Sequence, residues 1–557
     1  MQLHSNVQRN LVRLAGIAAL LGTATAQTGG AAALKLKRND QILGNGRIVQ
    51  FEHLAVTDSG LFYTDVRSDD SQNDRVTLLN GFMVMVTRTN VAEPPGALFD
   101  LSNDLSVNKF GFIGWPVKLR ATIGGNADDT GVYWNTLLLT QEGADVVNPF
   151  IDGIALGVDT VYSGFDYVFL NDKNHLLVAG DVQDPTFKGK ESSLALLKTD
   201  GQGNLTEEIW LGIQDYPFQG GPNLDGIGGQ KDSFGFNNND DWMAQVKIDD
   251  SNTSDTGIVY NGVFVAREGD AHPTIAGRAY ADFGTSRLGM NDMGDYVFTA
   301  TLDGANEDNL VLMRNQEVFA REGSSVSGFA PDTIIRFDSA PQKIANSGDV
   351  YWYASISGSS NQSRVYMRNK RVIVQEAVSV IGPGTLNGLR TTAYAFTVSP
   401  NGRFWLAEVV LANGNEAVIL ADFGSIVPIP GCGSNPVTLQ KAATSGDARI
   451  GETVVFEMDG AVPTGATPFL IWSTQALATG LECGRMFPFG ELFISPAAAN
   501  VVSRSVGAPY TGTAATFTYP IPQDPSLANM ESFAQGFFRE NDGTLHLSNG
   551  MHMVLGS

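Results

Sequence analysis

Asn291-Asp292-Met293-Gly294-Asp295-Tyr296-Val297-Phe298-Thr299-Ala300 joins a tight turn directly to an alternating apolar strand. Asn tolerates left-handed backbone and hydrogen-bonds its own turn, while Gly supplies positive φ without a steric penalty. Tyr296, Phe298 and Ala300 then share one face of a period-two strand. The same grammar returns at Asn346-Ser347-Gly348-Asp349-Val350-Tyr351-Trp352, at Pro400-Asn401-Gly402-Arg403-Phe404-Trp405-Leu406 and at Thr57-Asp58-Ser59-Gly60-Leu61-Phe62-Tyr63. Weaker copies stand at Asn108-Lys109-Phe110-Gly111-Phe112, at Asn171-Asp172-Lys173-Asn174-His175 and at Asn237-Asn238-Asn239-Asp240-Asp241-Trp242.

Aligned on the turn, the copies place Gly60, Gly111, Asn174, Asp240, Gly294, Gly348 and Gly402 in register, at steps of 51, 63, 66, 54, 54 and 54 residues. Three equal steps mark a tandem repeat, and the two longest place insertions in the second and third units. The fifth unit continues with Asn309 to Met313 and Glu317 to Arg321, split by the Arg314-Asn315 turn. Its neighbours carry Gly257 to Tyr260 with Val263 to Arg267, and Val365 to Arg368 with Val372 to Gln375, while Thr333 to Phe337 bridges to the next unit. About four short strands per repeat is the content of a β-propeller blade.

The last unit has strands at Arg403 to Val410 and Glu416 to Leu420 and then stops. Leu34-Lys35-Leu36-Lys37-Arg38-Asn39-Asp40 matches Val263 to Asp270 in character and supplies the missing strand. The expectation is therefore an all-β chain: a seven-bladed β-propeller over residues 34–423, closed by its N-terminal strand, and a C-terminal β-sandwich over 431–557. Residues 424–430 read as a linker. The second unit is weakly marked, which leaves six or eight blades open.

The chain opens with an export signal over residues 1–26. Arg9 and Arg13 precede the apolar run Leu14 to Leu21, and Ala24-Thr25-Ala26 is a cleavage site of the A-x-A type. No later apolar run is long enough to span a membrane as a helix. The mature chain then holds 34 Lys and Arg against 59 Asp and Glu, a net charge of −25. Such acidity repels phosphate backbones and anionic lipid, which argues against nucleic acid as a partner. In an oxidising compartment Cys432 and Cys483, an isolated pair, form one disulfide.

The pattern Asn291, Gly294, Phe298, followed by Glu322-Gly323, resembles a family of secreted bacterial N-x-x-G-x-x-x-F tandem-repeat proteins, over about Gly46 to Phe423. The resemblance implies a propeller and no assigned reaction. Gly431-Cys432-Gly433, Ile450-Gly451, Cys483, Pro520-Ile521-Pro522 and Ser548-Asn549-Gly550 resemble a C-terminal module of large exported bacterial proteins. That likeness implies surface retention, carbohydrate contact or assembly.

No catalytic signature of the hydrolase, zinc-protease, P-loop or dinucleotide-binding kinds is present. His53, His175, His272, His546 and His552 lack metal-ligand spacing and read as loop or blade-edge residues. The Arg-Glu-Gly elements at Arg267-Glu268-Gly269 and Arg321-Glu322-Gly323, with Gln141-Glu142-Gly143 and Gln375-Glu376, offer acids. They recur at one strand end of successive blades, so they read as scaffold rather than as the specific carboxylate pair a glycosidase needs. Unrepeated features are better candidates. Asp181, Asp184, Trp210 and Tyr216 lie in the enlarged third unit and are candidate ligand contacts. Asp249, Asp250 and Asp255 cluster side-chain oxygens suited to calcium. The expected function is non-enzymatic binding or surface assembly, with polysaccharide or other cell-surface components as partners. The alternative is a polysaccharide-active hydrolase or lyase with its site in the propeller funnel.

Overall fold

A computed structural model describes residues 32–556 apart from 103, 147–149, 152–153, 158, 186–188, 219, 252–253, 285–286, 306–307, 326–332, 338–340, 358–362, 382–383, 393, 430, 434, 443–444, 478–482, 496 and 498–499. The proposed export signal lies outside the described residues.

Seven antiparallel sheets follow one another along the chain and form a seven-bladed β-propeller. The fifth blade shows the plan. Tyr280–Asp282 and Gly289–Met290 make its inner edge, followed outward by Tyr296–Leu302, Leu310–Arg314 and Glu317–Arg321. The repeat turn connects the inner edge to the second strand. Its Asn291 Oδ1 accepts the N–H groups of Met293 and Asp295, and Gly294 takes φ +80°. Apolar faces of adjacent blades pack together: Leu177, Ala179 and Leu194 of the third blade meet Trp242, Ala244 and Val246 of the fourth.

Ala32–Lys37 lies antiparallel to Glu416–Asp422 as the outermost strand of the seventh blade, with Ala32 opposite Ala421 and Lys37 opposite Ala417. The seventh and first blades share one core, in which Phe404, Leu406, Val418 and Leu420 meet Ile48, Phe51, Val56 and Phe62. A second repeated feature shows that this strand is a true blade component. Two residues after each outer strand stands a residue of positive φ: Asn39, Arg88, Gly143, Asp215, Gly269, Gly323 and Ala377. Each of these donates its N–H to the inner strand of the next blade, at Ile48, Phe99, Tyr162, Leu224, Tyr280, Ile334 and Leu386 in turn, over 2.7–2.9 Å. The Arg-Glu-Gly elements are thus hinges between blades, and Gly is favoured there by its backbone freedom.

The long steps of the repeat have physical counterparts. A small hairpin, Phe150–Ile151 with Ile154–Ala155, stands between the second and third blades. The third blade's outer strands run nine residues each, Glu191–Thr199 and Leu205–Ile213.

The C-terminal region forms an eight-stranded sheet in the order Val501–Val506, Thr467–Ser473, Glu531–Arg539, Leu545–Val554, Val437–Lys441, Thr453–Gly460 and Ala515–Pro520, with Ser425–Ile429 also paired to Leu545–Val554. Among the described residues Leu545–Val554 and Val437–Lys441 join through the parallel pairing of Val437 with Ser548, and the core includes Phe456, Leu470, Trp472, Phe538 and Met551. Residues 424–430, read from sequence as a linker, are corrected here. Ser425–Ile429 is a strand paired along Gly550 to Val554, so the domains meet with almost no free chain between them. Cys432 and Cys483 are disulfide-bonded, Cα to Cα 5.1 Å, and the buried Glu491 accepts N–H bonds from Cys432 and Gly484 beside it.

Candidate functional site

The residues singled out in the third unit lie mostly inside the fold. Trp210 and Tyr216 belong to the core formed with Ile151, Tyr162 and Phe165. Asp184 is buried, accepting from the Tyr216 hydroxyl at 2.5 Å and the Gly157 N–H at 2.7 Å. These three are therefore interior residues beneath the inserted hairpin, not loop contacts. Asp181 is partly exposed, and burial followed by the nearby Asp166 pushes its carboxyl up. The aspartates of 249–255 are not drawn together. Asp250 pairs with Arg267, while Asp255 faces Lys247 at 3.7 Å and accepts from the Thr256 hydroxyl. Among the described residues, the His, Cys, Asp and Glu group compact enough to share an ion is Cys432, Cys483 and Glu491, whose sulfurs are bonded to each other.

Two structures occupy the propeller axis instead. The first is a ring of the second turn residues: Asp58, Lys109, Asp172, Asn238, Asp292, Asn346 and Asn401. Backbone N–H groups pass from blade to blade into side-chain oxygens. Lys109 donates to Asp172, Asp172 to Asn238, Asn238 to Asp292, Asp292 to Asn346, and Asn401 to Asp58, at 2.6–2.9 Å. Asn238 Nδ2 also bridges Asp172 and Asp292, at 2.8 and 2.9 Å, and Lys109 Nζ lies 3.3 Å from Asp172. Three carboxylates thus share one lysine. Burial, with the charges of Asp172 and Asp292 added, raises the Asp58 carboxyl to about 7.

The sign of that shift makes a prediction. The folded chain binds this proton more tightly than the unfolded chain, so stability falls as pH rises from about 4 to about 7 and levels off above. Asp58→Asn keeps an oxygen for the Asn401 N–H, and three other blades already carry Asn at this place. The substitution is expected to stabilise the protein at pH 8 by about 1–2 kcal/mol and to flatten the decline between pH 4 and 7. Urea unfolding at pH 5 and pH 8 reads both effects.

The second structure lies deeper. Among the described residues the innermost strand of five blades is broken, and side chains in or beside these breaks turn toward the axis. The breaks fall between Leu98–Ser102 and Ser106–Val107, Leu224–Ile227 and Phe234–Phe236, Tyr280–Asp282 and Gly289–Met290, Ile334–Arg336 and Lys343–Ile344, and Gly384–Leu389 and Phe396–Val398. They present Asp104, Lys231 with Asp232, Arg287, Lys343 and Tyr394. In the first and third blades the inner strand is continuous but shifts register at His53 and at Tyr167.

These groups touch across the ring. Lys231 of the fourth blade pairs with Asp104 of the second, and its ammonium lies 5.7 Å from the ring centre of Tyr394 in the seventh. Tyr394 meets His53 of the first blade edge-on at 4.4 Å. Arg287 pairs with Asp232 at 2.8 Å and donates to Gln230 at 2.9 Å. Blades that are not neighbours can meet in this way only on the axis, so the cluster sits on the axis at this level. Asp104 and Asp232 are fully buried. Burial pushes both carboxyls up, opposed chiefly by Lys231 at Asp104 and by Lys343 and Arg287 at Asp232. Burial also pulls the Lys343 ammonium down. His53 turns Nδ1 to Asp65 at 3.1 Å, and Asp65 accepts from the Thr77 hydroxyl at 2.6 Å. His53 is thus an inner-strand residue, which corrects its reading as a loop or blade-edge position.

Sequence reading passed over this cluster, although a signal was present. His53, Asp104, Tyr167 and Arg287 each stand five residues before the second turn residue of their blade. The position repeats while its residue type does not.

No family model matches the chain, and no curated protein matches it. The likeness to the N-x-x-G-x-x-x-F repeat family therefore remains a resemblance. Among solved structures, a tetra-tandem repeat in the extending region of a large adhesion protein aligns over 94% of this chain and 98% of that one, at 10% identity and a TM-score of 0.13. Escherichia coli alpha-2-macroglobulin activated by porcine elastase aligns over 92% of this chain and 41% of that one, at 10% identity and a TM-score of 0.14. TM-scores of this size describe no common fold.

Proposed function

We propose that this chain is an exported binding or surface-assembly protein, in which the propeller is the recognition disc and the C-terminal domain is fixed to its rim. Ion pairing across the axis carries the reading. Asp104 and Asp232, the two carboxylates best placed for acid–base work in the funnel, are committed to Lys231 and Arg287. A glycosidase needs one carboxyl free to give a proton and another free to act as base or nucleophile. Paired and buried acids lock a fold more readily than they turn over a polymer. Partly exposed Tyr167, Tyr394, Lys231 and Lys343 border the same place and suit recognition of a polar ligand. Cell-surface polysaccharide is the partner class this combination favours.

The alternative, a hydrolase or lyase, makes a distinct prediction on the same material. The mature chain, incubated with immobilised acidic and neutral polysaccharides, is expected to be retained while polymer length stays unchanged. Shortening of the polymer, abolished by Asp232→Asn, would replace the binding reading with the enzymatic one.

A further inference from the structure

The charged groups that act on Lys343 are two cations, Lys231 and Arg287, and two carboxylates, Asp104 and Asp232. Lys231 and Arg287 each have their partner. Lys343 is partly exposed and has no ion pair or hydrogen bond from its ammonium among the described residues. Arg287 Nε, Asp104 Oδ2 and Asp232 Oδ1 are buried without hydrogen-bond partners, so the floor of the site keeps unmet donors and acceptors. Buried polar groups are nearly always satisfied, and exceptions call for a missing water, ion or ligand. Tyr167 and Tyr394 stand partly exposed beside this floor. In a chain that is strongly acidic overall, and beside an axial turn ring whose three carboxylates share one lysine, the groups immediately around Lys343 carry, with its own ammonium, an excess of one positive charge.

We propose that the propeller axis is a binding site for a singly charged anionic group of a saccharide, a uronate carboxylate or a sulfate ester, which pairs with Lys343 while the two tyrosines border the sugar. The inference rests on the polysaccharide-binding reading and names its ligand class. A monoanion matches the single unbalanced charge, and a dianion would overshoot it. A bound anion would also offset the cost that burial imposes on the Lys343 ammonium, which Asp232 and Asp104 only partly meet. An aromatic edge beside a charged anchor supplies apolar contact for the sugar ring.

Titration calorimetry on the full mature chain tests this with oligogalacturonate, a sulfated galactan oligosaccharide, a neutral maltooligosaccharide and free glucuronate. At least one acidic oligosaccharide is expected to bind ten or more times tighter than the neutral one, and the two acidic arms distinguish carboxylate from sulfate ester. Lys343→Met is expected to remove at least a tenfold share of that affinity, while Lys343→Arg keeps it within a few-fold. Removing an unpaired, half-buried ammonium should leave the ligand-free melting temperature at or above that of the natural chain, so lost binding cannot be ascribed to misfolding. Equal binding of acidic and neutral sugars, unchanged affinity in Lys343→Met, or no binding of any acidic probe overturns the inference. Retention of neutral polymer alone would leave the binding reading standing without the axial site. Glucuronate binding that depends on Lys343, with no polymer retained, would do the reverse.

Discussion

A chain beginning at Arg38, and so lacking Ala32–Lys37, is expected to melt at a markedly lower temperature than one that keeps the strand and to aggregate. The deletion leaves Glu416–Asp422 as an exposed edge with unpaired backbone groups, the kind of template that recruits other chains. Leu34 leaves the core of the sixth and seventh blades, and Leu36 leaves the core that joins the seventh to the first. Two half-buried leucines and a row of strand hydrogen bonds amount to about 5 kcal/mol or more. That is comparable with the whole stability of an ordinary domain. The Asn39 hinge into Ile48 also loses the strand that positions it. Circular dichroism melts and size-exclusion profiles of the two chains read the effect. Equal melting temperatures would mean that the strand decorates the ring without closing it.

The second large effect has an internal control. Asp295, Arg314 and Asn315 of the fifth blade form a cluster around the repeat turn, with Arg314 and Asn315 donating to Asp295 at 2.9 and 2.8 Å. The sixth blade repeats it as Asp349, Arg368 and Asn369, at 2.6 Å for both contacts. The fifth-blade pair is open to solvent, with side-chain exposures of 36% and 27%, while the sixth-blade pair lies beneath the C-terminal domain at 6% and 3%. Lys441 and Asp447 of that domain complete the buried network, the first 3.2 Å from Asp349 and the second 2.7 Å from Arg368. Burial alone would raise the Asp349 carboxyl. The charges of Arg368 and Lys441 outweigh it and hold the group far below the usual carboxylate range.

Asp349→Asn leaves Arg368 and Lys441 buried with too little negative charge, and is expected to cost about 3–5 kcal/mol. Asp295→Asn is expected to cost under about 1 kcal/mol, the usual value of an exposed pair. Urea unfolding of the two variants at pH 7 compares them directly, and equal losses would refute the buried network as an interdomain clamp. The folded pKa of Asp349 is depressed, so its contribution is complete above about pH 4 and disappears as pH falls further. The difference between the variants should therefore shrink in strong acid.

The blades were legible because their turn needs particular residue types. Asn and Gly are called for by left-handed backbone, and that demand recurs wherever the turn does. The axial cluster was hidden by the same logic turned round. His53, Asp104, Tyr167 and Arg287 occupy one repeated position, but each is a different residue, and they meet only when the ring closes. Trp210 and Tyr216 stood out as unrepeated aromatics, yet an insertion needs its own core, and they supply it. In the C-terminal domain Ser548-Asn549-Gly550 lies within the strand Leu545–Val554. There Asn549 accepts from the Leu439 N–H and donates to the Leu439 C=O in the neighbouring strand Val437–Lys441. A Cβ on Gly550 would come within 3.0 Å of Phe493, so the glycine serves close packing rather than a bend. Ser425–Ile429 was masked by Pro428 within it and Pro430 just after it, residues that suit an edge strand or its end.

The closed ring is tested most directly by a cross-link between the two ends of the propeller. Ala32 and Ala421 face each other across the last sheet. Antiparallel partners lie within the span a disulfide bridges. In a chain carrying Ala32→Cys and Ala421→Cys, mild oxidation is expected to join the pair in nearly all molecules and to raise the melting temperature. The bond is read by mass spectrometry of the linked peptides. Two free thiols after oxidation, in a folded protein, would show that the N-terminal strand lies elsewhere and would contradict the seven-bladed ring closed around its axial charges.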